Sequence, residues 1–311
     1  MVMDILFALL PSLFLGPLGI MLAKIGGTVR QQTLGEMLGA LVVAGIAVPF
    51  LSPAWTTTSF LVPFLGGITC AIGIAMQLYS FRVVGVSRTI PISTGLQIII
   101  TGLAGVLLFN EWATTRATLL GVGAMAIIMS GIALTSFSER EAGSGTLDAD
   151  EPNAGVAGAS AKVVDRAMIR KGLAINVVSA FFLCGYMVWL RWEDISYTEF
   201  IFPLALGMSV GALFVAAFMR DDKPLANTTL AKLLVPGVMF GIGVMLMQIA
   251  NQRVGVATGF TLSQVGVVIS VFGGIVWLQE RKTPAELRAS IAGVILVLVG
   301  AAIIGYTKTL T

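Results

Sequence analysis

Apolar runs of about twenty residues, separated by short polar breaks, cover most of this chain. Ten can be drawn, at roughly 4–23, 33–51, 59–81, 89–109, 116–137, 171–190, 199–219, 230–251, 258–279 and 287–306. A helix of about 20 residues crosses the hydrocarbon core of a bilayer, so each run predicts one membrane span. The breaks are short except for 138–170, rich in Ser, Gly, Ala, Asp and Glu, which predicts a flexible cytoplasmic linker. It separates a first five-helix repeat, 1–137, from a second, 171–311. Five is odd, so the second half enters the membrane upside down relative to the first. The expected fold class is an all-α integral membrane protein of ten transmembrane helices in a 5+5 inverted repeat.

One stretch occurs twice and supports that division. Val84-Gly85-Val86 leads into Ser87-Arg88-Thr89-Ile90-Pro91-Ile92-Ser93-Thr94-Gly95-Leu96-Gln97 and, after an apolar run, Asn110-Glu111. Val254-Gly255-Val256 leads into Ala257-Thr258-Gly259-Phe260-Thr261-Leu262-Ser263-Gln264 and, later, Glu280-Arg281. Glycine and glutamate lie 26 residues apart in the first copy and 25 in the second; Gln77 and Gln248 each stand five residues before an arginine. A second correspondence is Gly35-x-x-x-Gly39 in span 2 and Gly207-x-x-x-Gly211 in span 7, a spacing that lets helix backbones approach. Pro11 and Gly16-Pro17 predict a kink in span 1.

Composition agrees. Of 311 residues, 57% are hydrophobic and 11% charged, against about 25% charged in soluble domains; lipid must cover such a surface. The net charge of +3 comes from loops, and no basic run suits nucleic acid. No basic residue precedes the apolar run at Ile5, so the N-terminus reads as a retained span rather than a signal peptide. Fifteen Lys and Arg fall on the side of loops 1–2, 3–4, 5–6, 7–8 and 9–10, and four on the other. The positive-inside rule therefore puts both termini outside the cytoplasm. With no histidine, imidazole catalysis and most transition-metal sites are excluded, and no metal or cofactor is expected. Cys70 and Cys184 each lie in an apolar run and read as small buried side chains. Trp112, Trp189 and Trp192 at span ends read as interfacial anchors.

Polar side chains inside spans carry the candidate chemistry. They are Gln77 in span 3; Ser93, Thr94, Gln97 and Thr101 in span 4; Asn176, Ser179 and Tyr186 in span 6; Gln248 and Asn251 in span 8; and Thr261, Ser263, Gln264 and Ser270 in span 9. Ser93, Gln97 and Thr101 share a helix face. Amides and hydroxyls both donate and accept, which suits a ligand that is a ring of hydroxyls. Such residues also serve as glue between helices or bond their own helix carbonyls, but four buried glutamines without a watered cavity would be expensive. Glu111 and Glu280 end spans 4 and 9 and read as solvated turn residues rather than proton carriers; Glu36 stands near the edge of span 2.

These residues resemble a known family. Gln32-Thr33-Leu34-Gly35, the Gly85-Val86-Ser87 and Pro91–Gln97 stretches, and Val254–Thr258 with Leu262-Ser263-Gln264 are similar to the glucose/ribose porters, the bacterial glucose uptake proteins of the drug/metabolite transporter superfamily. The resemblance spans all but the 138–170 linker. It implies a multi-pass protein of the bacterial plasma membrane, monomeric or homodimeric, that imports a monosaccharide, glucose first, by alternating access with a coupled proton. On that reading Gln77, Ser93, Thr94, Gln97, Asn176, Gln248, Asn251, Ser263 and Gln264 bind the sugar, Tyr186 offers a stacking face, and Glu36 is the proton carrier by elimination. The chain departs from the family pattern at Leu15, where tryptophan is usual, at Leu204, where glutamine is usual, and at Glu36, where a small hydroxyl residue is usual. An exporter of amino acids or other small metabolites on the same fold is the alternative. An intramembrane enzyme would need a nucleophile–base pair, a metal cluster or paired acids, and none is apparent in the spans.

Overall fold

The computed structural model describes residues 2–84, 86–135, 137, 166–219, 224–225, 227–277, 283–307 and 310. The described residues hold helices and no strand. In chain order they are α1 (Val2–Leu15), α2 (Leu18–Ile25), α3 (Val29–Leu51), α4 (Thr57–Val84), α5 (Val86–Phe109), α6 (Thr115–Thr135), α7 (Arg166–Trp192), α8 (Tyr197–Phe218), α9 (Thr228–Val254), α10 (Val256–Ser263), α11 (Gly266–Trp277) and α12 (Pro284–Thr307). Span 1 is α1 with α2 and span 9 is α10 with α11, so ten candidate spans remain. Residues 138–165 of the expected linker, Gly85, Glu280 and Arg281 lie outside the described residues, and α7 begins at Arg166.

Helix ends follow local sequence. Thr28 and Gln31 form a reciprocal capping box at α3. The Asn227 side chain accepts from Leu230 N at 3.0 Å at the start of α9. Thr283 and Glu286 bond each other's backbone N–H at α12, at 2.8 and 3.2 Å. Span 1 breaks at Gly16-Pro17, where the proline has no N–H to continue the ladder; Pro11 stays inside α1. Span 9 also breaks, which its sequence did not predict. Gln264, Val265, Val267 and Val268 each donate to the carbonyl three residues back, at 3.0–3.2 Å, a tight turn with no proline in it. The two breaks touch: a side chain on Gly16 would meet the Gly266 carbonyl at 2.6 Å.

Packing is pairwise. The largest interfaces join α4 to α8, α3 to α9 and α6 to α12, followed by α4 with α7, α1 with α9 and α3 with α8. The GxxxG glycines sit in two of them. A Cβ on Gly39 would run into the backbone of Gly237 in α9, and one on Gly207 into that of Phe64 in α4. Backbones touch there because nothing stands between them. Phe50, Leu107 and Phe218 project outward, 73–85% exposed, as lipid contact requires. Trp189 and Trp192 are also exposed, but Trp112 is not: its ring packs on Gly121 of α6 within the core.

Candidate functional site

A central cavity of about 240 Å³ opens between α1, α4, α5, α6, α7, α9, α10 and α11. One water needs only roughly 10–15 Å³, so a small solute fits. Of the sequence-predicted residues, Gln77, Thr94, Gln97, Tyr186, Ser263, Gln264 and Ser270 line it. Four spans therefore bring amides and hydroxyls to one space.

The first wall is a relay across α4 and α5. Ser93 is fully buried behind the lining, and its Oγ accepts from Gln77 Nε2 at 2.6 Å and Gln97 Nε2 at 2.9 Å. Thr101 Oγ1 donates to Gln97 O at 2.7 Å, and the Cys184 thiol approaches the same carbonyl at 3.6 Å. One N–H of each glutamine is thus committed to Ser93, which leaves each Oε1 as an acceptor. The second wall is the break of span 9. Ser263 Oγ donates to Phe260 O at 2.6 Å, and Gln264 Nε2 reaches Ser263 Oγ at 3.2 Å and Phe260 O at 3.4 Å. Ser270 Oγ donates to Gly16 O at 2.6 Å, tying the two breaks together.

The rest of the lining is apolar: Leu15, Cys70, Ile74, Phe240, Val244, Met247 and Val267 among others. Tyr186 is 2% exposed and lines the cavity beside Cys70. Both cysteines are buried and free. Sequence reasoning missed Phe240 and Phe260, because a phenylalanine within an apolar span carries no signal. Leu15 was marked by its departure from the family pattern, and it stands in the wall.

The other named residues lie elsewhere. Asn176 donates to Thr89 O at 3.4 Å beside α5, and Asn251 Nδ2 donates to Gln248 Oε1 at 2.9 Å within α9. Neither pair lines the cavity. Glu36 is 4% exposed and lies at the α3–α9 contact, where a side chain on Gly237 would meet it. It is buried among helices, and it too is outside the cavity lining. Leu204 packs against Gly67 of α4. Glu111 is no free turn residue: its carboxylate accepts from Val256 N at 2.5 Å and Ala257 N at 3.0 Å.

Ten helices long and apolar enough to cross a membrane, with a partly polar cavity among them, define a multi-pass membrane protein. The chain belongs to the family described as Sugar transport protein, whose model matches residues 6–307. Among its relatives, a Listeria innocua protein named for sugar uptake is 40% identical over 306 residues, covering 98% of this chain and 99% of its own. The glucose uptake protein GlcU of Bacillus subtilis is 38% identical over 307 residues, covering 99% of each chain. One solved crystal structure shares the fold, with a TM-score of 0.67, 12% identity and 98% coverage of each chain.

Proposed function

We propose that this protein imports a monosaccharide, glucose first, across a bacterial plasma membrane as a proton-coupled secondary transporter working by alternating access. The observation that carries the reading is the Gln77–Ser93–Gln97 relay with the Ser263–Gln264 turn in the same open cavity. A sugar offers hydroxyls that donate to the amide Oε1 atoms and accept from the free N–H groups. Four such bonds at a net of about 1 kcal/mol each correspond to a dissociation constant of about 1 mM, weak enough for release. The apolar walls, with Phe240, Phe260 and Tyr186, meet the C–H faces of the ring. The names of the relatives point the same way.

The proposal includes two inverted halves of the drug/metabolite transporter type. Its support is the pairing of helices. Advancing each span by five turns the α4–α8 contact into α9–α3 and the α4–α7 contact into α9 on span 1, and returns α6–α12 to itself. Rocking of such halves about a midplane site is a known route to alternating access. In this reading both termini lie outside the cytoplasm, the protein acts as a monomer or homodimer, and buried Glu36 carries the proton, since intramembrane carboxylates are kept for function.

Counterflow in liposomes tests it, with glucose, ribose, rhamnose and a set of amino acids, with and without a pH gradient. Exchange of glucose, stimulated by the gradient, is expected. No monosaccharide exchange, with efflux of an amino acid, would replace the reading with the exporter.

A further inference from the structure

The cavity is shut at one end and loose at the other, and α5 with span 9 makes the difference. α5 packs along α10 but scarcely touches α11, which continues past the break onto α1, α2 and α12. Every residue of α10 is buried. Beyond the break Gln264, Val267 and Ser270 are half-exposed, as are Gln77 and Thr94 opposite them.

The shut end is held by an unusual cap. Gly105 of α5 lies on Ala257, where an added side chain would meet the Ala257 Cβ at 2.6 Å. Just past α5, Glu111 folds back, its N–H on Gly105 O at 3.0 Å. Its carboxylate then takes the first two amides of α10, Val256 N at 2.5 Å and Ala257 N at 3.0 Å. Those amides have no partner in their own helix, and an anion at a helix N-terminus makes charge-assisted bonds favoured by the helix dipole. Gly255, at φ 94°, leaves the space that the carboxylate fills; any side chain there would collide with it. Helix caps usually come from the adjoining residues. This one comes from 145 residues away, from the end of one copy of the repeated stretch to the start of the other. α5 and α10 therefore cannot separate while it is made.

We infer that the Glu111 carboxylate is the latch that closes the cavity on the face carrying the α5–α6 and α9–α10 connections, and that it releases each time a solute enters or leaves there. The inference rests on the alternating-access reading above. Glu111 touches no solute in this role; it is a positioning residue that sets which face is open.

The test reads sidedness without any sugar. Val267, in the cavity wall, is replaced by cysteine in a Cys70→Ala/Cys184→Ala background. A charged, membrane-impermeant maleimide is applied to each face of oriented vesicles. With Glu111 intact, labelling comes from the face of the α2–α3 and α4–α5 connections. Glu111→Ala and Glu111→Gln each lose a charge-assisted pair, so labelling from the opposite face should rise about tenfold or more. Unchanged sidedness in both variants overturns the latch. So does failure of both to yield folded protein, because a bond the fold cannot lose is not one that opens in a cycle. If sidedness shifts while wild-type counterflow with sugars fails, the latch stands and the sugar reading falls; the converse result separates them the other way.

Discussion

Ser93 has no surface in the cavity, yet both amides of the first wall converge on its hydroxyl. It sets where their acceptor oxygens point. Removing an amide should therefore differ from removing its support. Gln97→Ala and Gln264→Ala are expected to abolish uptake while the protein still elutes as a single folded species. Near-normal transport by both in liposomes would withdraw the site assignment. Ser93→Ala should raise KM about fivefold per net hydrogen bond lost, at about 1 kcal/mol, with less effect on the maximal rate; equal transport at low and high sugar would contradict this. Glu36 does not line the cavity, so its role can be tested apart from binding. Glu36→Gln is expected to retain glucose exchange at equal pH and to lose gradient-driven accumulation, a split measured by running both assays on one preparation.

Among the elements, contact is decided by what is missing from glycines. Gly39 and Gly237 let α3 and α9 meet backbone to backbone, and a methyl group there must push two long helices apart. Gly39→Ala should destabilise by about 1–3 kcal/mol, the usual cost of overpacking. Gly123 in the middle of α6 has open space around it; Gly123→Ala should keep or raise the melting temperature, since glycine inside a helix costs about 0.5–1 kcal/mol against alanine. Thermal unfolding in detergent, followed by circular dichroism, compares the two. The reverse order would mean that these interfaces are not close-packed in the membrane. The breaks in spans 1 and 9 differ in origin. Gly16-Pro17 breaks its helix by covalent chemistry. The turn at Gln264 and Val265 contains nothing that forbids a helix and instead stands where span 9 crosses the Gly16 break, with Ser270 bonded to Gly16 O.

At the scale of the whole molecule, topology makes the most exposed prediction. A fluorescent protein inserted at residue 150 should fluoresce, because the connection between the halves is expected in the cytoplasm, and an epitope at the C-terminus should be reached by antibody in spheroplasts without permeabilisation. A dark insertion with a protected C-terminus would invert the assigned orientation. The proposed latch at Glu111 belongs to this scale as well, since it ties the end of α5 to the start of α10 across 145 residues of chain.

The ten spans were legible in the sequence, because lipid forces a long apolar run on every crossing helix. So was the polar set, because each amide inside such a run is a visible exception. Three decisions were left to tertiary structure. Gln77, Gln97, Ser263 and Gln264 reach the cavity region, while Asn176, Gln248 and Asn251, equally conspicuous in the chain, bond elsewhere; helical rotation and neighbours decide this, and composition does not encode them. Phe240 and Phe260 became wall residues only when helices distant in sequence met. Glu111 reads in the chain as a turn carboxylate at a membrane edge, and only the fold carries it to the amides of Val256 and Ala257. An apolar period records which solvent a helix meets; which side chain meets which is settled by packing.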